Sequence, residues 1–210
     1  MFIRLGIGVL LDVHAMRGSQ NGFDNSGKAM EVIWNTSLAD VSTFQHWPVR
    51  SAEWAGQYDL ESQSYLTTNM SNIEHSIAVV LKILEVFKDN PTVVGVEPAN
   101  EPWQYIPIDV VQYYYWECYK LVRRMAPRWI VLFHDSFRFN VETWGTFAQG
   151  CPNFAIDTHV YQAWDPPVAT YDFQVSACEY AETISQLEVS LQQYIYSNIF
   201  SDIYDVHTIP

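Results

Sequence analysis

The sequence predicts an α/β fold in which helices cover a parallel sheet. Two observations carry this reading: strand, helix, strand, helix and strand follow in short succession, and the strand-like runs are apolar throughout rather than alternating. Four strands are expected, at Leu5 to Val13, Thr92 to Glu97, Trp129 to Phe133 and Phe154 to Thr158. Each runs into polar side chains at its carboxyl end: His14, Asn100 with Glu101, His134 with Asp135, and His159 with Tyr161. Three of the six histidines thus occupy equivalent places. In barrels and open sheets alike, ligands bind at that edge.

The segment from Ser71 to Asn90 is the clearest helix, with Ile73, Ile77, Val80, Leu81, Leu84 and Phe87 recurring on one face. Ser71 and Glu74 have capping-box spacing, and Asn90-Pro91 stops the helix. A second helix is expected from about Asp109 to Ala126, where Pro127 intervenes. The start, Met1 to Leu11, superficially resembles a secretory leader, but Asp12 and His14 interrupt it and no small-residue cleavage site closes it. It is read as a strand. No run approaches the roughly twenty apolar residues of a membrane span.

A chain of 210 residues with 49% hydrophobic content suits one domain with a sizeable core. The formal charge of -13 and a pI near 4.6 would repel nucleic-acid phosphates and anionic membrane surfaces, so neither is expected as a partner. Aromatic residues make up 15%, which suits a thick core or a cleft that stacks on sugar rings, core filling accounting for most of them. Cys118, Cys151 and Cys178 lack CxxC or CxH spacing, so no metal, redox motif or cofactor is expected. Their odd count fits a cytosolic protein or a secreted one missing part of itself. Sequons at Asn35-Thr36-Ser37 and Asn69-Met70-Ser71 favour secretion.

Taken singly, a strand-end Glu beside Asn reads as a capping carboxylate, and a lone strand-end His as a satisfied hydrogen-bonding residue. Together with His159-Val160-Tyr161 and the loop Gly18-Ser19-Gln20-Asn21-Gly22-Phe23-Asp24-Asn25-Ser26-Gly27, they form a more specific pattern. Leu11-Asp12-Val13-His14 with that loop, Val94 to Glu97 through Asn100-Glu101-Pro102, Phe133 to Phe137, and Asp157 to Gln162 resemble glycoside hydrolase family 5. Within it, the match is to the exo-β-1,3-glucanases of fungal and oomycete type, over about Leu5 to Glu188.

The resemblance implies an incomplete (β/α)8 barrel over residues 1–190, roughly its strands three to six, followed by a divergent tail at 191–210. It implies a retaining β-glycosidase that releases glucose from the ends of β-1,3-glucan or an oligosaccharide. Glu101 would be the acid/base, and Asn100 would bond the sugar 2-hydroxyl. His14, His134, His159 and Tyr161 would line the subsite, with Phe23, Trp103 and Trp164 as stacking platforms that equally fit packing. Secretion or a cell-wall location is implied too.

Such chemistry needs a nucleophile, which the family places on its seventh strand in a Gly-Glu-Trp context, and this chain has no Gly-Glu-Trp. Glu179, Glu182 and Glu188 lie in a helix-like stretch, while Asp172, Asp202 and Asp205 fall in a loop or the tail. The tail's departure reads as truncation, a misjoined exon or a frameshift, and the family's first two strands would precede Met1. Part of a barrel would expose two sheet edges, a route to self-association. Pro98 occupies a place where relatives have an apolar residue and removes one backbone donor before Glu101. A non-catalytic glucan-binding remnant and a non-folding gene fragment are the alternatives.

Overall fold

Four strands pair side by side, all in parallel, in the order β1 (Val9–Asp12), β4 (Val93–Glu97), β5 (Ile130–His134) and β6 (Phe154–Asp157). A short antiparallel hairpin, β2 (Tyr58–Asp59) with β3 (Ser64–Tyr65), precedes α1 (Met70–Phe87), and α2 (Ile108–Met125) joins β4 to β5. The computed structural model describes residues 6–30, 52–59, 61–138, 140–159, 161, 175 and 179. The tail at 191–210 and Trp164 lie outside the described residues. The arrangement is compatible with part of a TIM barrel, since a parallel sheet with crossover helices is that fold's repeating unit.

Two units divide the chain: Met1–Phe137 with Asn153–Thr158, and Arg138–Pro152 with His159–Pro210. The sheet and both long helices belong to the first. In the second, the short helix α3 (Val141–Trp144) is capped by Asn140, whose Oδ1 accepts from the Thr143 amide at 2.8 Å, and Trp144 meets Phe147 edge-on at 5.5 Å.

In the first unit α2 packs against α1 and β5. Its buried face, Val111, Tyr114, Tyr115, Cys118, Tyr119 and Val122, recurs at helical spacing. Tyr115 stacks on Phe133 of β5 at 4.9 Å, and Tyr114 meets Trp54 edge-on at 5.1 Å. Arg123 ends the helix productively: its guanidinium donates to the carbonyls of Pro127 and Trp129, tying the last turn of α2 to the start of β5.

The boundaries differ from the expected ones for local reasons. The first strand begins at Val9, and the expected start at Leu5 lies outside the described residues; Gly6, at φ +66, departs from extended backbone just before it. Asn69, not Ser71, caps α1, its side chain accepting from the Asn72 amide at 3.2 Å. The core stripe of α1 includes Ser76, while Ile77 and Leu81 are half-buried and Phe87 is exposed. Ser76 is tolerated inside because its hydroxyl accepts from Trp54 Nε1 and donates to the Asn72 carbonyl, both at 3.0 Å. The Asn90-Pro91 stop takes the form of a turn in which Asn90 Oδ1 accepts from the Thr92 amide at 3.0 Å. Pro98 costs no ladder bond, since β4 has already ended at Glu97, and its carbonyl accepts from Tyr114 Oη at 2.7 Å.

Gly95 sits where β4 and β5 approach closely, and a Cβ there would lie 2.4 Å from the Ile130 carbonyl oxygen. Gly95→Ala is therefore expected to cost about 1–3 kcal/mol and to lower the thermal unfolding midpoint by several degrees, read by circular dichroism.

Burial pushes the phenols of Tyr114 and Tyr115 well above their ordinary value, and the charges of Glu97 and Asp135 add to the effect at Tyr115. The native state keeps these protons while the unfolded chain releases them near about pH 10, so stability falls as pH rises through that value. Denaturant midpoints measured from pH 8 to 11 are expected to decline, less steeply in Tyr115→Phe.

Candidate active site

The parallel pairing puts the carboxyl ends of the four strands on one edge, and each strand ends on a polar residue: Asp12, Glu97, His134 and Asp157. Beyond β1 and β4 the backbones stay joined for a few residues. Val13 N donates to the Glu97 carbonyl at 3.0 Å, and Asn100 N donates to the Val13 carbonyl at 3.1 Å. This brings His14, Asn100 and Glu101 together.

One side chain fixes that junction. Gln20, wholly buried, donates through Nε2 to the carbonyls of Asn100 at 2.9 Å and His14 at 3.0 Å, and its Oε1 accepts from the Met16 amide at 3.2 Å. Its own carbonyl accepts from the Trp103 amide at 2.9 Å. Residues 14, 100 and 103 are thereby tied to one loop. That loop is itself tightly bonded: Ser19 Oγ accepts from the Gly22 amide at 2.7 Å and lies 2.5 Å from Ser26 Oγ, while Asn21 Oδ1 accepts from the Phe23 amide at 2.9 Å.

Glu101 is 7% exposed and takes φ +48, a left-handed conformation that an unbranched L residue holds at a cost of about 1–3 kcal/mol. Its Oε2 accepts from Asn25 Nδ2 at 3.2 Å, and Asn21 Nδ2 in turn donates to Asn25 Oδ1 at 3.2 Å. Asn100, 4% exposed, points Nδ2 at His14 Nε2, 3.4 Å away, and His14 Nδ1 lies 2.5 Å from Asp12 Oδ2.

The end of β5 is built differently. His134 is fully buried, its Nδ1 accepting from the Ser136 amide at 3.0 Å and its ring meeting Phe137 edge-on at 5.1 Å. With Nδ1 occupied as an acceptor, the ring proton resides on Nε2 and the imidazole is neutral. Asp135 accepts from the Phe137 amide at 2.7 Å and the Thr158 hydroxyl at 2.8 Å. Ser136 and Phe137 share φ +56, and Ser136 Oγ donates to the Pro102 carbonyl at 2.8 Å, which braces the Glu101 turn.

Of the other expected residues, Phe23 is half-buried at the start of a one-turn 3-10 helix, Asp24–Ser26. Trp103, also half-buried, packs edge-on against Tyr58 at 4.7 Å and Tyr105 at 5.0 Å, with Tyr65 at 6.3 Å, so an aromatic cluster holds its ring. In the second unit His159 Nδ1 lies 3.0 Å from Tyr161 Oη, with the rings perpendicular, and Tyr161 is exposed. Glu179 is exposed in helical backbone. Gln20, Asn25 and Ser136 lie in stretches that carry the resemblance, but none was expected among the site residues. Their partners lie 80, 76 and 34 residues away, and local pattern carries no signal for such contacts.

Known proteins resemble the chain over most of its length. The chain is 32% identical over 171 residues to a glucan 1,3-β-glucosidase of Yarrowia lipolytica, a match covering 78% of this chain and 32% of the relative. The chain is homologous to part of the fungal glucan 1,3-β-glucosidases. A probable glucan 1,3-β-glucosidase A of Aspergillus terreus is 27% identical over 85% of this chain and 36% of its own length. Glucan 1,3-β-glucosidase 1 of Schizosaccharomyces pombe is 23% identical over 76% and 32%. The chain thus spans about a third of the length of these relatives. Among solved structures, the crystal structure of AoRut matches with a TM-score of 0.51 and 19% identity, over 76% of this chain and 40% of that one, a likeness of fold. No family model matches the chain.

Gln20→Leu is expected to destabilise the chain by about 2–4 kcal/mol, because it strands a buried carbonyl, a part-buried carbonyl and one buried amide that Gln20 now satisfies. Urea unfolding measures this, and the amide resonances of Asn100 and Glu101 should shift at the same time.

Proposed function

We propose that this chain is the acid/base part of a retaining exo-acting β-1,3-glucosidase, built on strands three to six of a (β/α)8 barrel. The observation that supports it most is the Asn100–Glu101 pair, nearly buried yet gathered with His14 at the carboxyl edge of a parallel sheet. The names of the fungal relatives supply the substrate class.

On this reading Glu101 protonates the leaving glycosidic oxygen and then, as carboxylate, draws a proton from the water that releases glucose. Asn25 holds Oε2, which orients the carboxyl group before substrate arrives. Asn100 bonds the sugar 2-hydroxyl, and that bond strengthens as positive charge develops on the ring. His14 lines the same subsite, with Phe23 and Trp103 as platforms beside it. The family resemblance assigns His159, Tyr161 and Trp164 to sugar recognition as well. His134, fully buried, serves from within the wall by setting the turn at Ser136 that braces Pro102.

Retention requires a second carboxylate about 5–5.5 Å from the first. The 210 residues hold no Gly-Glu-Trp, so the nucleophile is assigned to sequence outside them. The same observation favours a second reading, a glucan-binding remnant without turnover. Secretion to the cell surface or wall goes with either; among the described residues no helix is long and apolar enough to cross a membrane.

Incubation of the purified chain with an aryl β-glucoside, alongside calorimetry with laminarin, separates the readings. Laminarin binding without turnover is the outcome expected of the 210 residues alone. Turnover that Glu101→Gln lowers about 100-fold or more would instead locate a complete site within them. Neither binding nor turnover would overturn both.

A further inference from the structure

We propose that Asp12 is a positioning residue for sugar recognition, acting through His14 to fix the side-chain amide of Asn100; the inference rests on the reading of Asn100 as the ligand of the sugar 2-hydroxyl. Asp12 is the last residue of β1, and His14 follows it by two, so strand geometry sends both side chains to the same side. Val13 between them is buried and pinned at both backbone groups, by Glu97 and by Asn100. The backbone between them is therefore fixed by the junction of β1 with β4, and the Asp12–His14 contact itself holds the two side chains together.

The chain of contacts runs in one direction. Asp12 Oδ2 lies 2.5 Å from His14 Nδ1, and a carboxylate can only accept, so the imidazole proton resides on Nδ1. In the neutral ring, His14 Nε2 is then left as a bare lone pair. Asn100 Nδ2 stands 3.4 Å from it and must be the donor, because the amide's oxygen would face another acceptor there. The consequence is an amide held in one of its two orientations before any sugar binds, with Oδ1 and the second N–H left for the ligand. Gln20 fixes the backbone of His14 and Asn100 but leaves their side chains free to turn. Asp12 removes that freedom. A carboxylate two residues from the subsite thus acts on the 2-hydroxyl contact without touching the sugar.

Long-range proton–nitrogen NMR at pH 8 reads the His14 tautomer directly, and calorimetry compares laminaribiose with its analogue lacking the 2-hydroxyl on the non-reducing glucose. The wild type should show His14 protonated at Nδ1. In Asp12→Ala the ring should shift toward the Nε2-protonated form, and laminaribiose affinity should fall about tenfold while affinity for the 2-deoxy analogue changes less than about twofold. Asp12→Asn, which keeps an accepting oxygen in the same place, should stay within about threefold of the wild type for laminaribiose. An unchanged tautomer in Asp12→Ala, or equal losses for the two sugars, overturns the proposal. A wild type that fails to bind laminaribiose at all marks failure of the glucan reading itself, and the role of Asp12 in recognition falls with it.

Discussion

The amide of Gln20 is the interaction on which the rest of the site depends. Sheet pairing aligns β1 and β4 only as far as Asp12 and Glu97, and the candidate site residues lie two to four positions further on. In that stretch two backbone bonds through Val13 carry the pairing on to Asn100. A single buried amide then extends the tie, joining the carbonyls of His14 and Asn100 through one nitrogen and the Met16 amide through its oxygen. Each bond adds only about 1 kcal/mol net, but leaving these groups buried and unpaired would cost about 1–3 kcal/mol apiece, so the asymmetry rather than the bond strength enforces the geometry.

That enforcement is needed because the neighbouring backbone is strained. Glu101, Ser136 and Phe137 all hold positive φ without being glycine, immediately beyond the ends of β4 and β5. Relaxing Glu101 would move a carboxyl group that Asn25 now grips and would break the Trp103–Gln20 bond behind it. The Ser136 hydroxyl on the Pro102 carbonyl closes the other side. Strain at a strand end persists where surrounding bonds over-determine it, and here they arrive from a loop, a strand and a turn.

The aromatic content divides along the same line. Trp54, Tyr114, Tyr115 and Phe133 are fully buried, and they fill the space between the helices and the sheet. The tyrosine hydroxyls found there are spent on backbone carbonyls at the two strand ends, Pro98 and His134, so the core itself supports the edge. Trp103, Tyr58, Tyr65 and Tyr105 form a separate cluster beside the hairpin. Composition alone could not assign a ring to either group.

What the sequence by itself determined was the parallel sheet, the two long helices and the strand-end placement of His14, Asn100, Glu101 and His134. Apolar runs, helical spacing and punctuation by Asn-Pro and Pro are local signals, set by steric and solvation preferences of neighbouring residues. The shift of the α1 cap to Asn69 and the start of β1 only at Val9 show the limit of such signals, which fix an element better than its ends. Tertiary structure alone decided that Gln20 would bridge two strand ends, that Asn25 would reach Glu101, and that His134 would be sealed inside while His14 stays exposed. Those outcomes depend on residues brought together across tens of positions, and hydrogen-bond satisfaction in a closed interior is a property of the packed chain that no window of sequence contains.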